Sequence, residues 1–182
     1  MVIKRIFNSI KYRIVNRINP KTQLDMLKER GLKVGKNFNI FNSVIDEGHC
    51  WLVEIGDDVT ITNSTILAHD ASVKRFTNKS KIGKVKIGDR VFIGYGSIIL
   101  PNISIGSDVI IGAGTVVNRD IPDDSIVVGN PARIIGKVSE FEERHKRLLN
   151  EKKVYETYWP YKTQEDIKKI QDELNDDFGY DP

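Results

Sequence analysis

The sequence predicts an all-β solenoid: a parallel β-helix with short helical extensions at its N- and C-termini. Three observations predict it. Aliphatic residues recur every six positions through the middle of the chain. Glycine follows many of them. The six-residue spacing stops towards both ends, where helical spacing replaces it. The 182 residues are 40% hydrophobic and 29% charged, which suits an ordinary globular chain with enough apolar residues for a core.

The first element is an arm over residues 1–33. Ile3, Ile6, Phe7, Ile10, Ile14 and Ile18 fall on one helical stripe, and the basic residues fall largely elsewhere on the wheel. Pro20 breaks that helix. A second, shorter helix is expected over 21–30, ended by Gly31. The pair is read first as a cap on the open end of the solenoid, which otherwise exposes its interior. The second reading is peripheral contact with an anionic membrane surface. The arm holds nine Lys/Arg and two Asp/Glu, whereas residues 34–138 hold eleven of each, and residues 139–182 hold eight and twelve. The net charge of +3 is therefore a property of the arm, and no nucleic-acid partner is expected. No apolar run approaches 18 residues, and Lys4, Arg5, Lys11, Arg13 and Arg17 interrupt the first one. Neither a membrane span nor a secretory signal is expected. The expected location is cytoplasmic, with the inner face of the membrane as the place the arm suggests.

The solenoid is expected over 34–138. Ile55, Ile61, Leu67 and Val73 stand six apart, and after one interruption so do Ile87, Ile93, Ile99, Ile105, Ile111 and Val117. The fifth position of each six is small or β-branched: Val59, Thr65, Ala71, Val91, Ser97, Val109 and Thr115. Six is not a helical period. It suits a short strand plus a turn, three strands to a coil, with the aliphatic residues stacked in interior ladders. Glycine after the aliphatic permits the tight corner.

The interruption between Val73 and Ile87 is polar and basic, and a loop extruded over 74–86 is expected from it. His69-Asp70 stands just before the loop. His49 lies where Asp46-Glu47-Gly48-His49-Cys50-Trp51 disturbs the repeat, and is read as a coil-edge residue packed by Trp51. His145, among Glu142, Glu143, Arg144, Lys146 and Arg147, reads as part of a solvated helix face. The single cysteine, Cys50, excludes an intrachain disulfide and any multi-cysteine metal site within one chain. With only His49 and His69 inside the coils, no metal site is expected.

The runs Ile87-Gly88-Asp89-Arg90-Val91-Phe92-Ile93-Gly94, Ile105-Gly106-Ser107-Asp108-Val109-Ile110-Ile111-Gly112-Ala113-Gly114 and Gly129-Asn130-Pro131-Ala132-Arg133 resemble those of the hexapeptide-repeat acyltransferases. The resemblance covers residues 34–138. It implies a left-handed parallel β-helix, a hand that opposes the usual crossover rule and that periodicity alone does not supply. It implies acetyl-coenzyme A as acyl donor and a homotrimer. It also implies that His69, standing before the extruded loop, is the general base that deprotonates a sugar hydroxyl. Asp70 or a backbone carbonyl is then the candidate to orient its ring. By the same resemblance Gly94, Ala113 and Gly114 are corner positions along which the pantetheine arm lies. Arg119 and Arg133 match the basic residues that meet the coenzyme phosphates, where a guanidinium has the right fork geometry. The family often has tryptophan where this chain has Phe92, which leaves the role of Phe92 open.

After Gly136 the chain is expected to be helical over about 139–153 and 163–175, with an aromatic cluster from Tyr155 to Tyr161 as a packing anchor. The function expected from these residues and from the resemblance is O-acetylation of a sugar or glycan in surface polysaccharide or glycolipid assembly. Its rivals are N-acetylation of an aminosugar nucleotide and a scaffold β-helix without chemistry. Many relatives of the first rival carry an additional nucleotide-binding domain, for which 33 residues before the coils are too few.

Overall fold

The computed structural model describes residues 21–182, so the helix expected over 2–18 lies outside the described residues. The chain divides into two compact units at Ile135–Gly136.

The first unit opens with helix α1 (Gln23–Glu29). Thr22 caps it: its hydroxyl accepts from the Asp25 amide, and the Asp25 carboxylate accepts from the Thr22 amide. Gly31, at φ 106°, ends it. Leu27 is buried and joins the solenoid interior. The expectation of a short helix over 21–30 is met.

From Lys33 to Val117 the chain makes four circuits through three sheets, each circuit adding one parallel strand to each sheet, and two further strands then extend the second sheet alone. The first sheet is β1 (Lys33–Val34), β4 (Val53–Ile55), β9 (Val85–Ile87) and β12 (Ile103–Ile105). The second holds β2 (Asn39–Phe41), β5 (Thr60–Thr62), β10 (Val91–Ile93), β13 (Val109–Ile111), β15 (Ser125–Val128) and β16 (Arg133–Gly136). The third is β3 (Val44–Ile45), β6 (Thr65–Ile66), β11 (Ile98–Ile99) and β14 (Val116–Val117). Strands alternate their side chains in and out. The inward residues pair in register into ladders, Ile61–Ile93–Ile111–Val127 on the second sheet and Ile45–Ile66–Ile99–Val117 on the third. On the first sheet Ile55, Ile87 and Ile105 form the ladder. All eleven of these residues are buried.

The expected register fails at two places. Leu67 and Val73 are only part-buried, and Ile66 occupies the ladder position instead of Leu67. The corner after Ile61 is one residue shorter than the corner after Ile93. Asn63 takes left-handed φ (43°) to make it, where the longer corner uses Gly96 at φ 73°. The small-residue slot expected at Thr65 is accordingly filled by Ser64, and Ala71 is exposed.

Two columns of polar side chains hold the corners. In one, Ser43, Ser64, Ser97 and Thr115 stack coil on coil. Each hydroxyl donates to a nearby carbonyl and accepts an amide from the following coil: Ser64 N, Ser97 N, Thr115 N and Gly129 N in turn. Ser64, Ser97 and Thr115 are buried, which is tolerable because each hydroxyl is bonded. In the other, the Asp89 carboxylate accepts the Asp57 amide and the Ser107 hydroxyl accepts the Asp89 amide. The glycine before each aspartate is needed because coils nearly touch there. A Cβ at Gly56 would stand 2.7 Å from the Gly88 carbonyl oxygen.

The second unit, 136–182, holds α3 (Val138–Leu148), a two-stranded sheet of β17 (Lys153–Val154) with β18 (Gly179–Tyr180), and α4 (Gln164–Glu173). His145 does not sit on a solvated face. It is part-buried, with its Nδ1 2.7 Å from the Tyr180 hydroxyl and its ring 4.1 Å from that of Phe141. The aromatic cluster is not a buried anchor either, since Tyr158, Trp159 and Tyr161 are all exposed. Among the described residues no helix is long and apolar enough to cross a membrane.

Candidate functional site

The two breaks in the repeat fall at the same corner of successive coils. The first follows Ile45, where residues 46–52 insert before β4. The second follows Ile66 and carries the long excursion. Because Ile45 and Ile66 are paired partners, whatever follows one stands over whatever follows the other.

The excursion leaves the coil after buried Ala68 and rejoins it at buried Val85, earlier at both ends than the loop expected over 74–86. Its stalk is an antiparallel pair, β7 (His69–Asp70) with β8 (Lys81–Ile82), and its tip carries the single-turn helix α2 (Lys74–Thr77). Asn78 ends that turn at φ 56°. The stalk is pressed against the next coil at Gly83, where a Cβ would lie 2.7 Å from the Asn102 amide nitrogen.

His69 stands at the root of the stalk with its side chain 37% exposed, and its Nδ1 makes a short contact with Oδ2 of Asp46. Asp46 is buried. Its Oδ2 also accepts the Ala68 amide, and its Oδ1 accepts the amides of Gly48 and His49. Burial alone would push the Asp46 carboxyl up, but the bonds from His69 and the Ala68 amide outweigh it and hold the group below its ordinary value. The carboxylate is therefore ionised near neutrality. With Nδ1 donating to that carboxylate, the ring's lone pair lies on Nε2, which makes no hydrogen bond to the described residues. This is the tautomer a base needs.

Asp70 is not the orienter. It pairs with Lys81 at 2.8 Å and accepts the Ser72 amide, and the bonds from Lys81 and Ser72 hold its carboxyl far below the usual range. His49 is more than a coil-edge residue. Its ring lies 5.4 Å from that of Trp51, as expected, but also 4.8 Å from that of His69, and its Nδ1 is 3.6 Å from Asp46 Oδ1. Sequence reading missed Asp46. The signal was the break at 46–51, and the slipped register at Leu67 concealed that this break lies over His69.

A groove opens beside His69. Leu67, Leu100, Pro101 and Ile82 give it apolar walls, and Ser72, Asn102 and Asn118 give it polar groups. Arg119 follows Asn118 at this corner and is exposed. Gly94, Ala113 and Gly114 are at a different corner of the same chain, between the second and third sheets. There Gly94 is buried, and Ala113 and Gly114 are exposed, with Gly114 at φ 70°. Arg133 is exposed at the start of β16, after the turn through Asn130 and Pro131. One chain thus brings Asp46, His49, His69 and Arg119 to one corner and leaves the remaining expected coenzyme residues elsewhere.

Replacing Asp46 with Asn removes the negative charge that fixes the His69 tautomer while keeping an acceptor atom. The expected result is a fall in kcat of about 10–10²-fold, part of the usual contribution of acid–base catalysis, with the KM for acetyl-coenzyme A unchanged. Steady-state kinetics on a variant whose melting is still cooperative checks this. A KM change without a kcat change would place Asp46 in binding instead.

The chain is similar to several known proteins. A family model described as bacterial transferase hexapeptide (six repeats) matches residues 84–119. Protein CapG of Staphylococcus aureus is 38% identical over 148 residues, which cover 72% of this chain and 85% of that protein. The crystal structure of a maltose O-acetyltransferase from Clostridium difficile 630 is 32% identical with a TM-score of 0.52, over 69% of this chain and 83% of that one. A hexapeptide-repeat acetyltransferase of Vibrio cholerae, solved with acetyl-coenzyme A, is 25% identical with a TM-score of 0.53, over 60% of this chain and 61% of that one.

Proposed function

We propose, from the premise that this chain belongs to the hexapeptide-repeat transferases and is an acetyltransferase, that it moves the acetyl group of acetyl-coenzyme A to a sugar hydroxyl. The setting is surface polysaccharide or glycolipid assembly on the cytoplasmic side of the membrane. The observation that carries the reading is the ionised Asp46 holding the His69 ring at the mouth of the groove. In this reading the coil is left-handed, as family membership implies.

His69 Nε2 takes the proton of the sugar hydroxyl as its oxygen attacks the thioester carbonyl. A tetrahedral oxyanion forms, and backbone amides near the coil corners stabilise it. Its collapse breaks the C–S bond. The imidazolium returns its proton to the departing thiolate, giving the acetyl ester and free coenzyme. Asp46 balances the charge of the imidazolium while it lasts and does not itself take the proton.

The split between the two corners is accounted for if the groove is built by two chains, with His69 from one and Gly94, Ala113 and Gly114 from its neighbour. Outer faces of the prism support such packing. The outward residues of the first sheet are charged or polar: Lys33, Glu54, Lys86 and Ser104. Those of the third are Val44, Thr65, Ile98 and Val116. Those of the second include Phe41, Phe92 and Ile110. Apolar outer faces are buried when identical chains close a ring, and a homotrimer with three shared grooves is the assembly proposed here. Phe92 then serves packing rather than chemistry.

Thiol release from acetyl-coenzyme A with a panel of sugars tests the reading. Turnover is expected with hydroxyl acceptors and not with their amino counterparts alone. Within that assay Arg119→Ala is expected to raise the KM for acetyl-coenzyme A roughly ten-fold, the worth of one charge-assisted phosphate contact, with kcat little changed. The effect should shrink with dephospho-coenzyme A if the 3′-phosphate is the partner. An unchanged KM would remove Arg119 from the coenzyme site.

A further inference from the structure

Three donor atoms from successive coils meet beside the groove, and the Asp46–His69 bond does not account for all of them. Asp46, His49 and His69 each present one ligand atom, and the three lie within 4.8 Å of one another. The Asp46 side chain is 2% exposed, whereas those of His49 and His69 are 28% and 37% exposed. One oxygen of the carboxylate faces each ring: Oδ2 contacts His69 Nδ1, and Oδ1 stands 3.6 Å from His49 Nδ1. His49 Nδ1 is shut away from solvent and has no hydrogen-bond partner among the described residues. A buried polar atom left in that state calls for an explanation, and a bound ion is one.

Two imidazole nitrogens and a carboxylate are a zinc-type donor set, with metal–ligand distances of about 2.0–2.2 Å. Ligand atoms on one tetrahedral ion are then about 3.4 Å apart. The His49–Asp46 separation of 3.6 Å is already close to that. The trio lies within 4.8 Å, so its largest separation need shorten by no more than about 1.4 Å. Counting histidines alone argued against a metal, but that count omitted the buried carboxylate. Cys50, beside His49, is not part of the set, because its thiol donates to the Leu27 carbonyl.

We propose that Asp46, His49 and His69 form a binding site for a divalent transition metal of the zinc class, and that the metal-bound protein is an arrested form of the enzyme. The first half stands on the donor geometry alone. The second rests on His69 being the base. A neutral imidazole bound to metal through Nδ1 carries its proton on Nε2, the atom that must be bare to accept the sugar proton. Binding therefore moves the ring proton from one nitrogen to the other and consumes no further reactant. The fourth position of the ion is left to water from the groove.

Calorimetric titration of the full chain, free of any histidine tag and stripped with EDTA, with Zn²⁺ alone is the test. The expected result is one Zn²⁺ per chain, bound at least ten-fold more weakly by His49→Ala and equally well by His145→Ala. If His49→Ala loses its cooperative melting, His49→Gln replaces it. No binding, or equal affinity in wild type and the His49 variant, overturns the site. Acetyl transfer is then followed at one equivalent of Zn²⁺. Loss of turnover restored by EDTA is expected, with at least ten-fold more metal needed in the His49 variant. Full turnover by demonstrably zinc-loaded protein overturns the arrested state and leaves the site standing.

Discussion

His69→Ala is expected to lower kcat for acetyl transfer by about 10²–10⁴-fold and to leave the KM for acetyl-coenzyme A nearly unchanged. A sugar hydroxyl is a weak nucleophile towards a thioester unless its proton leaves as the bond forms. Among the described residues no other side chain lining the groove offers a base oriented like His69. Asp70 is committed to Lys81 and the Ser72 amide. His49 has its Nδ1 enclosed beside Asp46. Alanine leaves the groove open, so donor binding survives. Because Asp46 acts through the ring, combining Asp46→Asn with His69→Ala should cost no more than His69→Ala alone, as expected for groups that work as a unit. A variant that keeps full turnover would eliminate the base assignment, and with it the mechanism drawn from the dyad.

Ile99→Asp is expected to abolish folding altogether, visible as loss of the cooperative thermal transition and of the strand signal in circular dichroism. Ile99 has no solvent exposure and stands in the third-sheet ladder between Ile66 and Val117. A carboxylate there has no partner and no route to water. The cost of an isolated buried charge far exceeds the total stability of a domain of this size. Ile99→Val is the matching control. It removes one methylene and is expected to cost only about 0.5–1.5 kcal/mol. A folded, cooperative Ile99→Asp protein would mean that Ile99 is not an interior residue and that the register is wrong.

Much of the architecture was legible because hexads constrain every coil in the same way. Ile55, Ile61, Ile87, Ile93, Ile99, Ile105, Ile111 and Val117 follow directly from the period, and all are buried. Leu67 and Val73 do not, because period counting cannot register a corner that loses one residue. Asn63, adopting the left-handed conformation a glycine would otherwise supply, is what makes the shorter corner feasible. The site was half legible. His69 stood out because a long polar excursion follows it. Asp46 did not, because it is 23 positions away in a stretch with no period of its own. Its relevance depends on two insertions lying at one corner, and that requires the pairing of Ile45 with Ile66. His145 was misread for a related reason. Its partner Tyr180 is 35 positions distant and belongs to no repeat.

The Ser43–Ser64–Ser97–Thr115 column also governs how the prism breathes. The amides of Ser64, Thr115 and Gly129 are held by rotatable hydroxyls, and that of Ser97 by the Ser64 hydroxyl together with the Gly94 carbonyl. A hydroxyl that turns away frees the amide above it and deprives its own carbonyl partner in the same movement. Hydrogen bonds joined in series polarise one another, so opening at one level weakens the next. This edge of the prism is expected to exchange its amide hydrogens over several coils together, ahead of the strands on either side. Slow opening events are therefore expected to start along a line parallel to the axis of the repeat rather than at a single coil.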